Sequence, residues 1–207
     1  MAYANWIQPS KVAGSGNDTV SISALSNNTG RSSRSTQVTF KAANCDDVVR
    51  TVQQSGKPEF VSFTNASAAI DASGGTVTIS GKSNSEKLAF TLGSNNGIGL
   101  VLPASYTAAG QSTTNDASIS GDPGNTAEYD FSITFSGIDP NTTISDKVSQ
   151  VIVTDAAGHT ATCTVTQAAG DATLDVSPAS ITLDWDAFTS EQAVSFTVTS
   201  NTSWTVE

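Results

Sequence analysis

Among its 207 residues the chain has one histidine, one methionine, two cysteines and only nine lysines and arginines. Each scarcity excludes something. One histidine without a second ligand nearby rules out the usual zinc patterns and leaves no nucleophile–base–acid arrangement, so no enzyme activity and no cofactor are expected. That histidine, His159, follows Ala156-Ala157-Gly158 and reads as an exposed hairpin turn. Nine basic against nineteen acidic residues give a net charge of −10. With no basic stripe to displace phosphate counterions, nucleic acid is not an expected partner. No apolar run is long enough to span a bilayer, and Met1 to Trp6 has neither the basic nor the apolar region of a signal peptide. The expectation is therefore no membrane partner, and a protein that stays in the compartment where it is made. The thiols Cys45 and Cys163 fall in different units of the repeat described below, which predicts free, partly buried cysteines rather than a bridge.

Helical periodicity is the other thing missing. Apolar residues alternate instead, as in Val20-Ser21-Ile22, Phe131-Ser132-Ile133-Thr134-Phe135 and Val194-Ser195-Phe196-Thr197-Val198. A period of two puts one face of each strand on a core and the other in water. Serine and threonine exceed a quarter of the chain, which suits strands and turns. The fold class expected is all-β, built from sandwich units.

The chain also repeats itself. A shift of 113 lays Gln37-Val38-Thr39-Phe40 on Gln150-Val151-Ile152-Val153, Thr51-Val52-Gln53-Gln54 on Thr164-Val165-Thr166-Gln167, and Arg34 on Lys147. A second shift, of 117, lays Val77-Thr78-Ile79-Ser80 on Val194-Ser195-Phe196-Thr197 and Ser83-Asn84 on Ser200-Asn201. One inserted residue then brings Leu88 opposite Trp204, and before it Phe60-Val61-Ser62-Phe63 reads like Leu174-Asp175-Val176-Ser177. The layout this predicts is one complete unit at 57–170, preceded by a closing half at 1–56 and followed by an opening half at 171–207.

Several of these stretches are similar to one family. Leu174 to Pro178 (Leu-x-Val-Ser-Pro), Ser200 to Val206 (Ser-Asn-x-x-Trp-x-Val), Trp6 to Pro9 (Trp-Ile-x-Pro) with the glycine-rich turn to Gly16, and Val165 to Gln167 (Val-x-Gln) together resemble the BACON domain, the Bacteroidetes-associated carbohydrate-binding module that is often N-terminal. The asparagine-rich turn before Arg34 fits as well; Leu88 in place of the tryptophan and the long stretch from Gly110 to Asp130 depart from the pattern. The resemblance implies a small immunoglobulin-like β-sandwich, of a kind found in secreted proteins and in virion proteins of crAss-like phages.

A half sandwich cannot close its own core. The opening half would leave Ile181, Leu183, Val194, Phe196, Val198 and Trp204 uncovered, and the closing half Trp6, Val20, Ile22, Val38, Phe40 and Val52. The opening half carries six acidic residues and no lysine or arginine, the closing half five basic and three acidic. Opposite charge steers the two together and disfavours like pairing. The expected partners are neighbouring copies of the same chain and other virion proteins. The function expected is structural, in an auxiliary or decorating capsid component, head fibre or tail part, assembled in the cytoplasm of a bacterial host. The alternative is a carbohydrate-binding module for mucin or host-surface glycans, with Trp185 and Tyr106 as the exposed stacking residues. Asp184-Trp185-Asp186 and Asp139-Pro140-Asn141 lack the alternating oxygen ligands of a calcium loop and read as solvated turns.

Overall fold

In a computed structural model, which describes residues 3–185 and 193–207, the chain is all-β: strands and turns with a single short 3-10 turn at Pro123–Asn125. Two sheets pack face to face between residues 57 and 170. The first has five strands in the order β10 (Gln111–Thr114), β9 (Ser105–Ala108), β11 (Tyr129–Ile138), β7 (Gly75–Ser83) and β5 (Val61–Phe63). The second has four: β6 (Ser67–Ile70), β13 (Thr160–Gln167), β12 (Lys147–Asp155) and β8 (Leu88–Asn96). Neighbours run antiparallel except β6, which crosses to the second sheet and lies parallel to β13. The stretch after Gly110 that departs from the family pattern holds β10 and the 3-10 turn.

The alternation seen in sequence sets the core. Phe131, Ile133 and Phe135 on β11 meet Val151 and Val153 on β12, Val165 on β13, and Leu88 and Phe90 on β8, all essentially inaccessible. Phe90 lies at the centre of the aromatic packing, its ring 5.7 Å from Phe131 and 4.9 Å from Tyr106. Such tilted and edge-on pairs add about 0.5–1.5 kcal/mol each beyond the area they bury. Two glycines are required by this packing. Gly81 lets the Phe131 ring lie against the strand, where an added Cβ would come within 2.3 Å of both Phe131 and the Ser62 carbonyl. Gly137, at φ 68°, carries the irregularity that shifts the β11–β7 register between Phe135 and Ile138.

Three two-stranded sheets lie outside the sandwich: β1 (Ile7–Pro9) with β2 (Ile22–Ala24), β3 (Arg34–Phe40) with β4 (Val48–Gln54), and β14 (Leu174–Ser177) with β15 (Thr197–Ser200). None is hydrogen-bonded into either large sheet among the described residues.

Candidate interaction faces of the terminal segments

The β3–β4 hairpin copies β12–β13 in register. Arg34 pairs with Gln54, Val38 with Arg50 and Phe40 with Val48; 113 residues on, Lys147 pairs with Gln167, Val151 with Cys163 and Val153 with Ala161. The turn before the hairpin is copied as well, down to its side-chain bonds. Asn28 Nδ2 donates to the carbonyls of Ser32 (2.7 Å) and Ser55 (3.2 Å). Asn141 Nδ2 donates to those of Ser145 (2.8 Å) and Ala168 (2.9 Å). Gln54 Nε2 reaches the Ser26 carbonyl and Gln167 Nε2 the Asp139 carbonyl, again 113 apart. Asp139-Pro140-Asn141 is therefore a turn whose asparagine ties the chain to itself.

The tail repeats the start of the sandwich in the same way. The Phe60 amide donates to Asn84 Oδ1 and Ser83 Oγ donates to the Phe60 carbonyl. Correspondingly, the Thr173 amide donates to Asn201 Oδ1 and Ser200 Oγ to the Thr173 carbonyl. The ladders pair Val61 with Ser83 and Leu174 with Ser200. Leu174 is thus the counterpart of Val61, one residue along from the Phe60 match read in the sequence.

What differs is the covering. Phe40 is 44% exposed where its counterpart Val153 is 0%, Phe196 is 46% where Ile79 is 4%, and Trp204 is 49% where Leu88 is 0%. Leu183 and Val194 are exposed too, while Ile181, Val198, Val20 and Ile22 are half-buried. Val38 is buried, unlike its expectation as an open position, as is Ile7 on β1. Trp6 is half-buried, with the Arg34 guanidinium 4.6 Å above its ring. That guanidinium is held by Gln54 Oε1 and the Ser26 carbonyl, so it stiffens the frame of the hairpin rather than facing solvent alone.

Both terminal segments are fastened to the sandwich by one kind of clasp. Asn84, fully buried, donates through Nδ2 to the carbonyls of Pro58 (3.2 Å) and Thr29 (3.3 Å). Asn201 Nδ2 donates to the carbonyls of Asp171 (2.8 Å) and Thr142 (2.9 Å). Beside these, the Lys57 amide donates to the Gly30 carbonyl and the Gly170 amide to the Thr143 carbonyl, each at 2.8 Å. Arg31 completes the first clasp through Nε to the Asn84 carbonyl (2.5 Å) and an ion pair with Asp122. Nothing in the sequence pattern singled out that pair, which joins residues ninety-one apart.

The stacking candidates separate. Trp185 is 96% exposed. Tyr106 is not a surface residue: it is 4% exposed, packed on Phe90, and its hydroxyl accepts a hydrogen bond from the Leu88 amide. Its burial has a simple cause: Tyr106 and Ala108 share the inward face of β9. Burial pushes the Tyr106 hydroxyl up to about 12 and that of Tyr129, which donates to the Ser85 carbonyl, further still.

His159 stands at the β12–β13 turn, its side chain mostly exposed, with Nδ1 2.9 Å from the buried Asp155 carboxylate. Asp155 also accepts from the His159 amide, so the pair ties the hairpin turn. Cys45 is exposed and Cys163 fully buried, both as free thiols; burial raises the Cys163 pKa. Asp186 of the Asp184-Trp185-Asp186 stretch lies outside the described residues. Among the described residues no group of three or more histidine, cysteine or acidic side chains is placed to hold a metal ion.

Comparison with known proteins bears on the head. Residues 1–55 match the model of the BACON family, described as "Putative binding domain, N-terminal". The matched segment contains β1 to β4 and ends one residue before the boundary at 56 read from the repeat. No curated protein matches the chain.

Proposed function

We propose that the chain is a non-enzymatic assembly module whose acidic tail completes the open sandwich face of the head on a second copy. The observation that supports this most directly is the pairing of frame with exposure. Each terminal segment has the hydrogen-bond frame of one part of the central sandwich, yet leaves Phe40, Phe196 and Trp204 close to half exposed where their counterparts are buried. Phe40, Val194, Phe196 and Trp204 are each close to half exposed, so covering them supplies about half of the ~1.5–3 kcal/mol that full burial of such a side chain gives. Association itself costs about 4–15 kcal/mol, so the backbone hydrogen bonds along the open strand edges have to contribute as well. Head and tail are different surfaces, so each contact is heterologous and leads to rings or filaments. A phage particle, with this protein as an auxiliary or decorating capsid component, is the setting we propose, on the family resemblance alone.

The experiment is solution mass by light scattering over a wide concentration range. Discrete multiples or growing polymers are expected, and Phe196→Asp, which puts a charge on the exposed face, is expected to return the chain to 21.2 kDa. A single-chain mass at every concentration would defeat the reading.

A second reading, a glycan-binding module, has one observation in its favour: the open indole of Trp185 in a chain whose first 55 residues match a binding-domain family. Loss of glycan-array signal in Trp185→Ala, with mass unchanged, would decide for it.

A further inference from the structure

We infer that the tail of a second copy docks on the head in one fixed register, adding a strand to each of three sheet edges. This rests on the assembly reading above. The central sandwich serves as the template, because head and tail are equivalent to its two parts at known shifts.

First, β6 lies parallel to β13 with Ala68 opposite Val165 and Ile70 opposite Gln167. The shift of 113 carries these to Ile181 opposite Val52 and Leu183 opposite Gln54, apolar residues again standing at alternate tail positions. Second, β7 lies antiparallel to β11 with Val77 opposite Phe135 and Ile79 opposite Ile133. Extending through β2 the shift of 113 that the side-chain bonds fix from Ser26 onward puts their counterparts Val194 opposite Ile22 and Phe196 opposite Val20. Third, β8 lies antiparallel to β12 with Phe90 opposite Val153. The counterparts are Val206 opposite Phe40. All three edges of the head that would receive these strands are unpaired among the described residues. A strand slipped by one residue would turn every apolar side chain of the tail outward, so the register is strongly specified.

Charge selects the occupant. The head carries five basic and three acidic residues. The tail brings six carboxylates and no lysine or arginine. Two tails repel each other, whereas a tail is drawn toward a head of opposite net charge.

The test uses two variants in a Cys45→Ser background, each with one accessible cysteine added and the buried Cys163 left in place. Phe40→Cys and Val206→Cys are prepared separately, mixed, concentrated and exposed to a mild oxidant. A covalent dimer is expected in the mixture and in neither variant alone. Replacing Val206→Cys by Thr205→Cys, which points to the opposite face of the strand, is expected to lower the yield about tenfold or more, because a disulfide does not bridge thiols aimed apart. The pair Val52→Cys with Ile181→Cys repeats the measurement on a second edge, should either first variant misfold. Equal yields from the in-register and shifted pairs, with the parent chain still associating by light scattering, would overturn the register and leave the assembly reading intact. A parent chain that never associates would overturn both.

Discussion

Replacing Asn84 by alanine tests the clasp directly. The side chain is 0% exposed and its Oδ1 accepts the Phe60 amide at 3.0 Å, while Nδ2 serves the carbonyls of Thr29, Lys57 and Pro58. Alanine leaves a buried amide without an acceptor, at about 1–3 kcal/mol, and removes the donor shared by three carbonyls, for a total of about 2–4 kcal/mol. With a urea m-value of about 2 kcal/mol per molar, the unfolding midpoint should fall by about 1–2 M. Asn201→Ala removes the counterpart bonds at an exposed junction, where water replaces them, and should cost less than about 1 kcal/mol. Circular dichroism follows the sandwich. The three tryptophans all lie outside residues 57–170, so fluorescence follows the terminal segments separately. A loss for Asn84→Ala no larger than that for Asn201→Ala would refute the argument that burial sets the cost.

Three further outcomes are expected. Gly81→Ala forces its new methyl against Phe131 and the Ser62 carbonyl, and should cost about 1–3 kcal/mol or prevent folding; a thermal midpoint within a degree of the parent would contradict that packing. Because the folded state holds the Tyr106 and Tyr129 protons more tightly than the unfolded chain, stability present below pH 10 should be lost as pH rises from 10 toward 12, and a thermal midpoint flat across that window would count against it. A thiol reagent should titrate Cys45 alone in the native protein and both cysteines in denaturant; two equivalents at once would mean that Cys163 is not sealed in the core.

The repeat was legible because a two-residue period carries through long strands: Gln37 to Phe40 could be laid on Gln150 to Val153 without a gap, and the observed ladders agree in register. The all-β class followed from the same alternation. Short strands were harder. β5 and β14 have three and four residues, too few to fix their own phase, and it took the bonds of Ser83, Asn84, Ser200 and Asn201 to place Leu174 against Val61. Aromatic character alone puts Tyr106 at the surface, whereas its place in Ser105-Tyr106-Thr107-Ala108, where polar and apolar residues alternate, puts it on the inward face. Arg31 with Asp122 was invisible because no periodic signal links a turn in one unit with a turn in the next.

The clasp has a geometric consequence. Thr29 and Thr142 receive the same asparagine bond, and the amides of residues 57 and 170 reach back to the same turn, so the two junctions share these bonds while Arg31 with Asp122 reinforces only the first. In the assembly proposed above, the geometry of a line of units is set jointly by these junctions and by the sandwich that separates one from the next, so Asn84 and Asn201 are positions where that geometry can be altered without repacking the core.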